Sequence, residues 1–138
     1  MNQNLFELTS RPCLEKIYVT KHIDDNPDLS WLEQEYEDCT PEERAKNKAM
    51  DAKLIRDYNN GLWVSIGIVV KANITLKYLG LEFTHEFHYS IWGISSNDDY
   101  AIKEYQDEYV RCIIQECRDK DIPVSQYLEV VVNEDLQN

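Results

Sequence analysis

A long run of alternating apolar residues near the middle of the chain constrains the fold more than any other feature. Within Leu62–Lys77 apolar side chains recur at every second position, the period of a β-strand with one buried face. A second run with strand character, Phe83–Ile94, follows a short connection around residues 78–80. Strands joined this closely pair antiparallel, because a parallel pair needs a crossover of a dozen residues or more. The sequence therefore predicts a central β-hairpin.

A capped helix precedes this hairpin. Thr40 and Glu43 have the spacing of a capping box, and Pro41 suits the first helical position. Asn59–Gly61 then supplies residues that tolerate the left-handed conformation in which many helices end. The pattern predicts a helix over Pro41–Tyr58. One face of this helix carries Ala45, Ala49, Ala52, Ile55 and Tyr58.

The remaining patterns complete an α+β domain. Leu14–Ile23 and Tyr127–Val132 have strand character, and a second helix is expected from Ser96–Asp99 to about Lys120. This second helix has a broad apolar stripe, which must pack on the sheet. We therefore predict one domain over residues 1–138, with an antiparallel sheet of three or four strands and two helices packed on one face. The 43% hydrophobic content is too high for a disordered chain, despite a net charge of -12.

Most of the net negative charge is concentrated in one segment. Asp24–Glu43 contains nine acidic residues and no basic residue. One interpretation is a solvated loop that keeps the protein soluble. The other is an interaction surface directed at a basic groove that normally holds nucleic acid, because carboxylates can occupy lysine and arginine positions meant for phosphates. The second interpretation assigns partner binding to Asp24, Asp25, Asp28, Trp31, Glu33, Glu35, Tyr36, Glu37 and Asp38.

Composition also bears on partners and compartment. Direct nucleic-acid binding is disfavoured, because no basic patch exists to replace the counterions of the phosphates. No run of apolar residues is long enough for a membrane span, and Met1–Arg11 has neither the basic start nor the apolar run of a secretory signal. We expect a cytoplasmic protein with a protein partner, and the sequence leaves a homodimer open.

Residue patterns typical of catalysis are missing. The sequence has no G-x-S-x-G, no glycine-rich phosphate loop and no H-E-x-x-H. On a strand His85 and His88 point to opposite faces and cannot share a metal ion. We therefore predict no catalytic residues, no metal site and no cofactor. A small metal-dependent enzyme remains a remote alternative, which requires Asp24, Asp25 and Asp28 to converge with Asp98 or Asp99 on a cation.

Three segments in this order resemble a widespread family of small uncharacterised proteins carried by phages and other mobile elements. They are Ile23–Leu32, with the pattern D-x-x-P-D-x-S-x-L, Tyr58–Ile68, with Y-x-x-G-x-W-x-x-x-G-I, and Ile91–Tyr100, with W-G-I-x-S. The resemblance spans residues 19–122. Ser95 stands where the family usually has glutamate, and Asn97 where it has serine.

The resemblance implies a shared fold and a mobile-element context, without an activity. Small acidic proteins of such elements that lack enzymatic motifs resemble inhibitors of host defence, including anti-CRISPR and anti-restriction proteins. The expected function is therefore a non-catalytic inhibitor that binds a nuclease or guide-RNA complex of the host through a basic surface of that partner. The alternative is a structural or accessory phage protein whose acidity is incidental.

Overall fold

The computed structural model describes residues 12–138, so the expectation drawn from Met1–Arg11 lies outside the described residues. Within this range the prediction of an α+β fold is confirmed, with two long helices and one four-stranded sheet. A short 3-10 turn, Ser30–Leu32, lies between the first strand and the first helix. The elements in chain order are β1 (Leu14–Ile23), α1 (Pro41–Asn59), β2 (Ser65–Tyr78), β3 (Leu81–Ser95), α2 (Asp99–Asp119) and β4 (Val124–Gln137).

The sheet has the strand order β3-β2-β1-β4. The predicted hairpin is confirmed, because β2 and β3 pair antiparallel out to Tyr78 and Leu81. Leu79 (φ 53°) and Gly80 (φ 79°) form its turn, and positive φ at both central residues matches the twist of the flanking strands. Strand β1 pairs antiparallel with β2, with Val19 opposite Val70.

The expectation of a purely antiparallel sheet is corrected at β4, which pairs parallel with β1. Strands β1 and β3 run in the same direction, since each is antiparallel to β2. The chain leaves β3, passes through the 21 residues of α2 and enters β4 on the far side of β1. A helical crossover of this length returns the chain in its original direction. The sheet is therefore mixed.

The apolar core lies between α2 and one face of the sheet. Alternate residues of β2 from Ile66 to Ile74 are almost fully buried, as the period-two pattern predicts. Ile102, Ile113 and Cys117 of α2 are buried against them, so the predicted stripe of this helix is confirmed. The other fully buried side chains of the core are Leu14, Ile17, Val19 and Phe87.

Helix α1 is held differently. Its capping box is present, with the Thr40 hydroxyl accepting from the Glu43 amide at 3.2 Å. None of its residues is buried, and its main contacts with another element are with the 3-10 turn. Ala45, Ala49 and Ala52, expected on a packing face, are exposed. Methyl groups bury too little apolar area to hold a helix on a sheet, so α2 supplies the helical layer of the core.

The sheet face opposite α2 has one close contact between a glycine and an aromatic ring. Gly67 of β2 lies under the Trp92 indole of β3, close enough that an added Cβ would be 2.3 Å from Cε3 of Trp92. The His22 ring of β1 lies 6.2 Å from the same indole, measured between ring centroids. Trp92 itself is 50% exposed, so this face carries an aromatic group that the described residues only half cover.

Candidate acidic interface

The first half of the acidic segment follows β1 and is fixed by local hydrogen bonds. The Asp24 amide donates to the Ser65 carbonyl at 2.9 Å, which ties the start of the segment to the entry of β2. The Asp24 carboxylate accepts from the Asn26 amide at 3.1 Å, and Asp28 accepts from the Ser30 amide at 3.0 Å. Such side-chain to backbone bonds define the path of a turn. The Ser30 amide and hydroxyl bonds lower the pKa of Asp28, so its carboxylate is favoured.

Two apolar side chains anchor the 3-10 turn. Leu32 is buried, whereas the Trp31 ring is 39% exposed and lies 6.5 Å from the ring of Trp63. Trp63 is only 3% exposed, and its Nε1 donates to the Leu54 carbonyl of α1 at 2.9 Å. Tyr58 of the same helix lies 5.1 Å from Trp63 between ring centroids. Trp63 therefore connects α1, the turn and the entry of β2.

The second half of the segment is folded onto α1. Tyr36, with φ 55°, donates its hydroxyl to the Asp51 carboxylate, a bond that raises the pKa of Tyr36. Arg44 Nε donates to the Tyr36 carbonyl at 3.1 Å. Lys48 Nζ donates to the Glu35 carboxylate at 2.9 Å and lowers the pKa of Glu35. Basic residues of α1 thus balance part of the acidic charge.

The nine residues predicted to bind a partner therefore differ in availability. Tyr36 is half-buried and its hydroxyl is taken by Asp51, so it is an anchor of the segment. Glu35 is shared with Lys48 in an ion pair whose two side chains are 73% and 47% exposed. Asp24 is half-buried at the start of the segment. The exposed members are Asp25, Asp28, Trp31, Glu33, Glu35, Glu37 and Asp38.

The segments Ile23–Leu32, Tyr58–Ile68 and Ile91–Tyr100 meet at one end of the sheet. The Val64 amide donates to the Ser96 hydroxyl at 3.0 Å, and the Ser96 amide donates to the Val64 carbonyl at 2.9 Å. Asn97 Nδ2 donates to the Leu62 carbonyl at 3.4 Å. The polar residues before α2 thus hold the entry of β2. Because Trp31 contacts Trp63 beside this entry, all three segments form one structural unit.

This meeting point contains a notch that sequence reasoning missed. It has a volume of about 290 Å³ and lies between the 3-10 turn, the end of β3 and the start of α2. We call it the Trp31 notch. Its other lining residues follow Trp31 by more than sixty positions in the chain, and only the fold brings them together. Its lining residues are Trp31, Gly93, Ile94, Ser95, Asp98, Ala101 and Tyr105.

The convergence of aspartates that the enzyme alternative requires is not seen in residues 12–138. In that part of the chain, no group of three or more His, Cys, Asp or Glu residues is placed to hold a metal ion. Asp98 instead caps α2, accepting from the Ala101 amide at 3.0 Å. Among the helices of the described range, none is long and apolar enough to cross a membrane.

Neither protein-family models, nor curated proteins, nor solved structures gave a match to this chain.

Proposed function

We propose that this chain is a non-catalytic acidic binding protein of a phage or mobile element, which acts in the host cytoplasm and inhibits a nucleic-acid-handling defence complex. The observation that carries the proposal is the exposed set of carboxylates on a backbone fixed at both ends. Asp24 ties the segment to β2, and Tyr36 ties it to α1. The mobile-element origin rests on the resemblance of the three sequence segments.

A fixed array of carboxylates suits a basic groove better than a flexible acidic tail does. A rigid segment loses little conformational entropy when it binds, so more of the electrostatic attraction remains as affinity. The net charge of -12 also raises the rate of encounter with a positive surface. Both effects weaken as salt screens the charges. Binding to a nuclease or guide-RNA complex should therefore be sensitive to ionic strength.

The alternative role, an accessory phage protein with incidental acidity, is favoured by the ion pairing within the segment. Lys48 forms an ion pair with Glu35, so part of the acidic charge is balanced inside the chain, as expected if the charge serves solubility and folding. The two roles differ in what happens when the exposed carboxylates are neutralised. An inhibitor should lose its partner, whereas an accessory protein should keep it.

The test is an affinity pull-down from nuclease-treated host lysate, read by mass spectrometry. The wild type is compared with a variant in which Asp24, Asp25, Asp28, Glu33 and Glu35 become amides. Asparagine at 24 and 28 can still accept the local amide bonds, so the turns are retained. The matched control converts five exposed acids outside the segment to amides, namely Glu86, Glu104, Glu108, Asp119 and Asp121.

Capture of a defence nuclease or guide-RNA complex by the wild type and the control, but not by the segment variant, supports the proposal. Equal capture by all three proteins contradicts the acidic-surface mechanism and favours the accessory role. Loss of capture in both variants would show that total charge matters and the particular surface does not, which also contradicts it.

A further inference from the structure

We propose that the Trp31 notch receives one arginine side chain of the partner. The inference rests on the proposed function, because it assumes a basic protein partner at this side of the molecule. It adds a defined contact to a surface that otherwise works through distributed charge. The notch is suited to a guanidinium group by its aromatic walls, its carboxylate and its size.

Two aromatic rings form the walls. Trp31 is 39% exposed, and its ring centroid lies 6.5 Å from that of the buried Trp63. Tyr105 is half-buried, and its ring lies 6.2 Å from that of Tyr109 on the same helix. A guanidinium group is attracted to the face of an aromatic ring, and tryptophan gives the strongest such contact. Because both rings have aromatic neighbours, the walls need little ordering when a side chain enters.

Asp98 supplies the charge at the edge of the notch. One carboxylate oxygen accepts from the Ala101 amide at 3.0 Å, and the described residues offer no hydrogen-bond partner to the other. The start of α2 carries a partial positive charge, which opposes a bound cation. The full negative charges of Asp98 and Asp99 outweigh it. The free oxygen can therefore accept a charge-assisted bond from an entering N–H group.

Size and chemistry together favour arginine over lysine or a larger ligand. A volume of about 290 Å³ lies just below the range of pockets that bind whole small molecules, and it suits one inserted side chain. Arginine has a planar head that stacks on rings, and it is more weakly hydrated than an ammonium group. It therefore loses less solvation on entering a half-open notch. Lysine would fill the site but stack poorly.

The test uses N-acetyl-arginine amide as a probe of the isolated protein. Binding is followed by the NMR signal of the Trp31 indole N–H, which is assigned with Trp31→Phe. We expect a saturable shift with a dissociation constant in the millimolar range, as two weak contacts would give. The citrulline analogue has the same shape without the charge and should leave the signal unchanged. The lysine analogue should bind at least about three-fold more weakly than the arginine probe.

Two substitutions locate the probe. Asp98→Asn retains a helix-capping side chain but removes the charge, and it should weaken binding by about three- to ten-fold. Asp99→Asn removes the same charge one residue along, outside the notch lining, and should change binding less than two-fold. No saturable shift up to about 50 mM arginine probe, an equal shift with citrulline, or equal effects of the two substitutions would overturn the inference.

The outcome is separable from that of the proposed function. The titration uses no partner, whereas the pull-down uses no probe. If arginine fails to bind while the segment variant still loses its partner, the notch inference is overturned and the acidic surface stands. If arginine binds and the partner is lost only on Asp98→Asn, the inference is supported and the distributed acidic surface is contradicted.

Discussion

Replacing Gly67 with alanine is expected to destabilise the protein because of the Trp92 indole. The new Cβ would lie 2.3 Å from Cε3 and 2.4 Å from Cδ2 of the ring, well inside van der Waals contact. Gly67 is not among the described glycines with positive φ, so its backbone conformation does not itself require glycine. The cost should therefore come from displacement of the ring alone.

The magnitude follows from two opposing contributions. Overpacking of this kind typically costs about 1–3 kcal/mol. Alanine in a strand is more favourable than glycine by about 0.5–1 kcal/mol, because glycine loses more backbone entropy on folding. Trp92 is 50% exposed and can swing outward, which limits the cost to the lost packing over β2. We expect a net loss of about 1–2 kcal/mol, which lowers the Tm of a domain of this size by roughly 3–6 °C.

A double-mutant cycle isolates the contact. Gly67→Ala is made in the wild type and in a Trp92→Ala background, and each pair is compared by urea denaturation followed by far-UV circular dichroism. Without the indole, alanine at position 67 should stabilise the protein by about 0.5–1 kcal/mol. The effect of the substitution therefore changes sign between the backgrounds. The same loss in both backgrounds would refute the reasoning, because the cost could not then come from the ring.

Two further substitutions test contacts at the ends of helices. Thr40→Ala removes the hydroxyl that accepts from the Glu43 amide and should cost about 1 kcal/mol. Thr40→Ser should cost little, and hydrogen exchange in the first turns of α1 should rise only in the alanine variant. The hydrogen bond from the Tyr89 hydroxyl to Glu116 is the main cause that raises the pKa of Tyr89 to about 12. The stability it contributes is present below the ordinary tyrosine pKa of about 10 and is lost as the pH rises toward 12. In Tyr89→Phe, the free energy of unfolding measured from pH 9 to pH 12 should therefore fall less steeply with pH than in the wild type. The same dependence on pH in both proteins would contradict the assignment.

The elements that sequence could predict are those whose signals lie within one segment. The bounds of β1 match the predicted Leu14–Ile23, and α1 begins at the predicted Pro41. The direction of β4 could not be predicted in this way. It depends on where α2 crosses the sheet, and no residue within β4 encodes that. The contacts of α1 were likewise hidden, because alanine promotes a helix whether or not its methyl group is buried.

The acidic segment, too, could be predicted from the sequence only in part. Its charge was visible in the sequence, and the short-range turns at Asp24 and Asp28 follow from residue types that favour them. The roles of Glu35 and Tyr36 were not visible, because they depend on Lys48 and Asp51, which lie about two and three helical turns inside α1. The residues predicted as one surface therefore separate into two sets. The free set contains exposed carboxylates such as Asp25, Glu33, Glu37 and Asp38, and the anchoring set includes Glu35 and Tyr36. Only the free set can respond to a partner without loss of local structure.

The placement of Ile23–Leu32, Tyr58–Ile68 and Ile91–Tyr100 shows that several of their residues support the fold. Ser96 and Asn97 hold the entry of β2, and Trp63 joins α1 to the turn. Each of these roles is structural, so a family pattern built on such residues would imply a shared fold without a shared target. Under the proposed function, partner choice then lies in residues outside these roles. The exposed carboxylates of Asp25, Glu33, Glu37 and Asp38 meet that condition, because they face solvent and take no part in these structural contacts.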